Sequence, residues 1–444
     1  MKQYFHSVTL DKEKCSGCTN CIKRCPTEAI RVQQGKAKIL PERCIDCGEC
    51  IRVCPYHAKK AVTDPLSSIN DFKYKIALPA PALYGQFKAL KKVDRLLAGL
   101  KAMGFDDVYE VAKGAEICSK AIEERLKTTD IKPLLSSACP AVVRLIQVRF
   151  PDLLENIIDV DAPVEVAAKV AKQEFAKKNK VDIKDIGAYF ITPCPAKMTS
   201  IKSPLAKDKS DVDGAISMLE IYGLLAGQLK AADAPKYENE KACAIGVGWA
   251  NSGGEIKAVK EDNALAVDGI ANVIKALEDI ENDKLKDLAY FEGLACAGGC
   301  VGGPLVFESN YVSSVRLKKV CADLDPEDDS GEKIQQYVDS GIANTPKKLK
   351  PMDVMKLDDN MIVAMQKAQK IDEILSHLPG MDCGSCGAPS CRALAEDIVR
   401  GKAKELDCVF ILKDKVRFLA EEMVDLAKSD EVRRHGNDIE NGRE

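Results

Sequence analysis

Cys-Ser-Gly-Cys-Thr-Asn-Cys-Ile-Lys-Arg-Cys-Pro (Cys15–Pro26) returns as Cys-Ile-Asp-Cys-Gly-Glu-Cys-Ile-Arg-Val-Cys-Pro (Cys44–Pro55). Both stretches read C-x2-C-x2-C-x3-C-P. Three thiolates spaced two residues apart wrap one corner of a cuboidal iron–sulfur cluster, while the fourth points away and ligates the neighbouring cluster. The spacing therefore predicts one 4Fe-4S cluster on Cys15, Cys18, Cys21 and Cys54 and a second on Cys44, Cys47, Cys50 and Cys25. Structural zinc is the competing use of such thiols, but it takes paired C-x2-C knuckles set well apart. Two cubanes so close in sequence form an electron wire.

The chain has 444 residues, 19 of them cysteine, and no cationic N-terminal region leading into an apolar stretch and a cleavage site. This combination points to a reducing cytoplasm, where thiols bind metal rather than pair as disulfides. No apolar run reaches the roughly 18 residues a membrane helix needs, so no span is expected. Lys+Arg 65 against Asp+Glu 68 leaves a net charge of -3, which argues against nucleic acid or an anionic membrane as the main partner.

Cysteines crowd residues 15–54 and 383–408 and thin out between, so three modules are expected. They are a bacterial-type two-cluster ferredoxin fold over residues 1–65, an α/β domain over 66–355, and a small C-terminal cluster domain with a terminal helix over 356–444. The middle module begins with an apolar strand, Lys75–Pro79. An amphipathic helix follows over Ala89–Gly104, with Leu90, Val93, Leu97, Leu100 and Met103 at helical spacing. Strand candidates Pro133–Leu135, Ile186–Thr192 and Leu288–Glu292 each run into a cysteine: Cys139, Cys194 and Cys296. Alternating strands and helices predict a largely parallel sheet, whose strand carboxyl ends would bring these thiols to one crevice. Asp323–Lys333 and Thr345–Lys350 read as surface loops.

Ser136-Ser137-Ala138-Cys139-Pro140 resembles the first motif of FeFe hydrogenases, T-S-C-C-P. Thr192-Pro193-Cys194-Pro195-Ala196-Lys197 resembles the second, M-P-C-x-x-K-x-x-E. Cys296-Ala297-Gly298-Gly299-Cys300-Val301-Gly302-Gly303-Pro304 resembles a shortened third, C-x-G-G-C-x-x-G-G-G-x-P, and Ala80-Pro81-Ala82 stands where the family has a cyanide-contacting turn. The resemblance spans about Lys75 to Pro304. It implies an H-cluster, with Cys139, Cys194, Cys296 and Cys300 holding a cubane and Cys300 bridging it to a two-iron CO/CN unit. Ala80, Pro81, Gly298, Gly299, Gly302 and Gly303 would then lie against the cofactor, the glycines because they carry no side chain. Lys197 would donate to a cyanide ligand, and Pro140 would start a helix over Ala141–Val148 with its N-terminal amides toward the anionic cluster.

The departures are informative. Ala138 replaces the cysteine that hands protons to the two-iron unit, and a methyl group relays none. Ser200 stands in place of the second motif's glutamate, and Thr192 and Leu294 replace methionines. An ungapped alignment of Gly114-Ala115-Glu116 with the family's G-A-D puts Ala121 where a proton-path glutamate is expected. These replacements resemble the sensory branches of the family, group D above all, rather than its fast members.

Cys383, Cys386, Cys391 and Cys408 form C-x2-C-x4-C-x16-C, which resembles a small 4Fe-4S domain of corrinoid iron–sulfur proteins and electron-transport subunits. Four thiolates also suit zinc, and only the flanking segments favour a cubane. Cys118, Cys243 and Cys321 read as buried small hydrophobes. His6, His57, His377 and His435 are scattered and are assigned to no metal. Leu412, Val416, Leu419, Met423 and Leu426 recur at spacings of four, three, four and three, a short heptad seam that either packs on its own domain or pairs two chains.

Four 4Fe-4S clusters and a two-iron unit are thus expected in an anaerobic oxidoreductase. Its expected activity is reversible H2 oxidation and proton reduction, slow and sensory, with a redox or signalling partner. A catabolic hydrogenase with another proton path and an electron-transfer or scaffold protein holding only the cubane are the alternatives.

Overall fold

The computed structural model describes residues 4–88, 93–230, 237, 241–326 and 331–440. Internal contacts divide the chain into two units, Met1–Lys14 with Pro41–Met355 and Cys15–Leu40 with Lys356–Glu444. The two cysteine repeats therefore fall in different units.

The first unit is mixed α/β. Tyr74–Pro79 and Ile186–Thr192 pair in parallel from Tyr74↔Ile186 to Pro79↔Ile191 at the centre of a four-stranded sheet. Asp107–Val108 and Gly214–Ser217 flank them, also parallel. Every residue of Ile186–Thr192 is buried, as its unbroken apolar run requires of a strand covered on both faces. A second parallel sheet holds Ala264–Asp268, Tyr290–Leu294 and Leu134–Leu135 in that order. The thiol-bearing strands thus come from two sheets rather than one. Helices Val111–Thr128 and Pro163–Asn179 cover the cores. Gly114 permits their contact, because a Cβ there would sit 2.2 Å from the Pro163 carbonyl oxygen.

Several expected boundaries shift. The helix expected over Ala89–Gly104 is described over Val93–Ala102; residues 89–92, Leu90 among them, lie outside the described residues, and Gly104 leaves the helix with φ +106. Val93, Leu97 and Leu100 are buried as the periodicity requires. The third strand runs Tyr290–Leu294 rather than Leu288–Glu292, because the Leu288 amide closes a turn on Leu285 and the ladder starts at Tyr290↔Ala264. Residues 327–330 of the expected loop Asp323–Lys333 lie outside the described residues, and its end already belongs to the helix Gly331–Asp339. Thr345–Lys350 is irregular, as expected.

In the second unit the hairpin Ile30–Gln33/Lys36–Ile39 turns at Gly35, φ +71. Helix Met361–His377 is capped by the Asn360 side chain, and Cys391–Val399 by Ser390, whose Oγ accepts the Ala393 amide at 3.0 Å. Their core holds Ile371, Ile374, Leu378, Leu394 and Ala395. Arg31 forms a buried ion pair with Asp397, and the Val32 amide donates to the Gly387 carbonyl at 2.8 Å. The long helix Val409–Glu440 leaves its heptad seam open: Val416 is 57% and Met423 71% exposed. Packing on its own unit is therefore not how that seam is covered.

Candidate metal centre

Strand ends in the first unit carry the central thiols. Cys139 and Cys194 occupy the N-cap positions of Pro140–Arg149 and Pro195–Lys202, and both helices open on proline, whose missing N–H costs nothing there. Cys296 and Cys300 follow Tyr290–Leu294 on a glycine-rich loop. All four cysteines line one cavity of about 100 Å3, together with Ala80, Pro81, Ala138, Lys197, Gly299, Gly303 and mostly apolar neighbours.

Burial, reinforced by the charge of neighbouring thiols, makes the thiolates of Cys194, Cys296 and Cys300 costly. The Cys300 thiol is pushed up to about 12, first by burial and then by Cys296 and Cys139, while Lys197 opposes the shift. Cys194 is raised by burial and by Cys296 and Cys139. Burial raises Cys296 as well, and Arg52 pulls it back. Such crowded, dry thiols are poor ions alone and good ligands for a cationic iron site, which needs them deprotonated.

The remaining expected residues are placed as follows. Lys197 Nζ donates to the Ala138 carbonyl at 2.8 Å, and Ser200 Oγ donates to the Lys197 carbonyl at 2.9 Å. Ser200 does not line the cavity, and Ala121 is buried in a separate apolar cluster. Among the glycines, Gly299 and Gly303 line the cavity and Gly298 and Gly302 do not. Their lack of a side chain serves close approach within the protein: a Cβ on Gly303 would meet the Pro193 oxygen at 2.3 Å, and one on Gly302 the Ala297 oxygen at 2.2 Å.

Two buried carboxylates facing the same cavity went unread in the sequence. Glu255 accepts from Ser136 Oγ at 2.7 Å and from Tyr290 Oη at 2.6 Å. Glu292 accepts the Gly253 and Ile256 amides at 2.9 and 3.1 Å. Burial pushes both acids upward, and the charge of Glu292 adds to the shift of Glu255. The Ser136 oxygen also accepts the Ala138 amide at 3.2 Å, so the network ends at the Ala138 backbone. A glutamate inside the wholly buried strand Tyr290–Leu294 was the available signal; Glu255 offered none.

The cysteine repeats differ in setting. In the second, Cys50 is buried and the Ala58 amide lies 3.2 Å from Cys54 Sγ. His6, Cys44 and Asp46 bring their ligand atoms within 4.8 Å of one another, but Asp46 also accepts the Val8 amide at 2.9 Å and His6 Nδ1 at 2.8 Å, a brace for the N-terminal strand. In the first, the Ala29 amide is 3.2 Å from Cys25 Sγ and the Ala37 amide 3.4 Å from Cys15 Sγ. At the C-terminal site Cys391 and Cys408 are buried, Cys386 is half-buried and Cys383 exposed. A hydrogen bond from Ser385 lowers Cys383, and burial, followed by the charges of Cys408 and Cys383, raises Cys386. Cys118 and Cys243 are buried as expected, whereas Cys321 is only half-buried. His377 is exposed.

These features define an iron–sulfur protein with a buried four-thiol centre in an α/β domain. The family model for the iron-only hydrogenase large subunit, C-terminal domain, matches residues 73–264 and 255–304, over half of the chain, and the chain belongs to that family. A 4Fe-4S dicluster domain matches residues 7–55, and an Fe-S cluster family matches 378–410. The periplasmic iron hydrogenase large subunit of Nitratidesulfovibrio vulgaris is 28% identical over 346 residues, 72% of this chain and 80% of that protein. Iron hydrogenase 1 of Clostridium pasteurianum is 25% identical over 395 residues, 72% of this chain and 68% of that protein. A solved FeFe-hydrogenase from Chlamydomonas reinhardtii is 15% identical, covers 64% of this chain and 97% of its own, and has a TM-score of 0.48. No described helix is long and apolar enough to cross a membrane.

Proposed function

We propose that the protein interconverts H2 with protons and electrons at the central thiol cavity, slowly, and passes its redox state to a partner. The observation that carries this reading is the convergence of Cys139, Cys194, Cys296 and Cys300 on one mostly apolar cavity. The donor set fits the group: four mutually repelling thiols suit a cubane. Cys300 would also bridge to a two-iron unit, which when bound supplies the iron at which H2 is split or formed. Cys15, Cys18, Cys21 and Cys54, then Cys44, Cys47, Cys50 and Cys25, and finally Cys383, Cys386, Cys391 and Cys408 would hold the other three cubanes. A reducing cytoplasm, where thiols stay available to metal, is the setting for this reading. The segments 1–65, 66–355 and 356–444 remain the proposed modules.

The cavity walls are mostly apolar. Lys197 holds positive charge beside Cys300 and ties its own helix to Ala138. Ala138 cannot carry a proton. Glu255 and Glu292, raised by burial, can each hold one near neutral pH, and Ser136 extends that store to the backbone beside Ala138. This network supports a second reading, a faster hydrogenase with its own proton path. The exposed seam of Val409–Glu440 fits a second copy of the chain, since Leu412, Leu419 and Leu426 recur at one heptad position with Val416 and Met423 at the other, an apolar stripe suited to paired helices.

Cys300→Ser tests the assignment. It should abolish infrared CO and CN bands in anaerobically matured protein while the clusters of the two repeats still load. Retained bands and parent-level H2 oxidation would show that Cys300 is not the bridge.

A further inference from the structure

Arg52 lies between two sets of thiols within the first unit. It ends the short helix Glu49–Arg52, between Cys50 and Cys54 of the second repeat. Its guanidinium donates to the Gly302 carbonyl, on the loop that carries Cys296 and Cys300, and its charge pulls the raised Cys296 thiol back down. Cys47 of the second repeat acts on the same guanidinium electrostatically. Glu49 is paired with it at 3.3 Å and also bears on Cys296.

The approach is built in. Gly48 sits at φ +75, and a Cβ there would fall 2.5 Å from Pro304 Cγ and 2.9 Å from Pro195 Cγ, so the second repeat lies directly against the wall of the cavity. Arginine is always charged and offers a fork of donors, which lets one side chain hold a carbonyl while its charge acts on the nearby thiols.

We propose that Arg52 is a positioning residue for electron exchange: one positive charge shared by the cluster of Cys44, Cys47 and Cys50 and the cubane of Cys296, raising the reduction potential of both together. The proposal rests on the cluster assignments made above. The step it serves moves one electron; one cubane is oxidised as the other is reduced, and no bond or proton changes place. Hydrogen bonds and charge near the sulfurs are established determinants of cluster potential. Glu49 acts with the opposite sign.

The test is a potentiometric titration followed by electron paramagnetic resonance, on full-length protein reconstituted with 4Fe-4S clusters alone. Arg52→Gln should make reduction of the central cubane about tenfold less favourable, about 59 mV for one electron, and should lower the cluster of Cys44, Cys47 and Cys50 in the same direction. The cluster of Cys383 should not move. Glu49→Gln should raise the same two potentials, an opposite sign that a merely structural role for Arg52 would not produce. If Arg52→Gln fails to load, the gentler Glu49→Gln still decides, since an upward shift supports the proposal. Unmoved potentials on loaded clusters overturn it while leaving the assignments intact. A parent protein without any cubane signal that Cys194→Ser removes overturns the assignments, and the proposal with them.

Discussion

Cys15–Pro26 and Cys44–Pro55 share one spacing, yet their neighbours differ. The second repeat lies against the cavity wall through Gly48 and Arg52. The first is braced within the other unit, where Arg31 pairs with Asp397 and Val32 bonds Gly387. Identical ligand spacing thus specifies the same cluster chemistry twice. The residues between and after the cysteines decide which site each copy supports.

The largest expected effect lies on the cavity side. If the second reading holds, Glu255→Gln removes a working acid from the carboxylate network, a loss that typically costs about 10²–10⁴-fold in turnover. H2 evolution at matched two-iron occupancy measures it. Unchanged turnover would mean that the network stores no working proton, whereas Ala138→Cys should bring a gain of less than about tenfold because the outer path stays unaltered.

On the other side, Arg31→Met leaves Asp397 buried and unpaired, a change that typically costs about 3–5 kcal/mol. Denaturation should show the loss in the unit holding Cys383, with iron at the central thiols retained. If the central iron were lost first, the separation between the two regions would fail.

A matched pair of glycine substitutions sharpens the comparison further. Gly387→Ala would place a methyl group 1.8 Å from the Val32 oxygen at φ +84. Gly48→Ala meets only proline ring atoms, so its cost should be smaller, about 1–3 kcal/mol. Gly387→Ala should disturb the signal of the Cys383 cluster, and Gly48→Ala that of the central cubane. The reverse pattern would contradict the contacts described.

The smallest effect belongs to the tail. Leu419→Lys falls on an exposed seam, so monomer stability should change by no more than about 0.5 kcal/mol. Sedimentation should show a paired parent and a monomeric variant; a monomeric parent would remove the second copy from the account.

Much of this was legible in advance because ligands and strands have strict spacing. Ile186–Thr192 ran to its expected ends because every residue of it is apolar or small and buried. The four central thiols could be named from motifs, since each follows a strand end. The partition into sheets could not, because parallel pairing such as Tyr290↔Leu134 joins residues far apart in sequence. Glu255 stayed hidden for the same reason: it sits on the helix Gly254–Val259, its partners Ser136 and Tyr290 lie far from it in sequence, and nothing around it marks burial. The glycines of the Cys296–Pro304 loop were visible as a pattern, but the oxygens they approach were not.

The central claim is that the four thiols hold a complete hydrogen-activating centre. Infrared spectroscopy of the anaerobically matured parent protein tests it most directly. The account predicts CO and CN stretches that shift when H2 is admitted. A protein carrying its full complement of cubanes but showing no such bands would contradict it and leave an electron-transfer scaffold in its place.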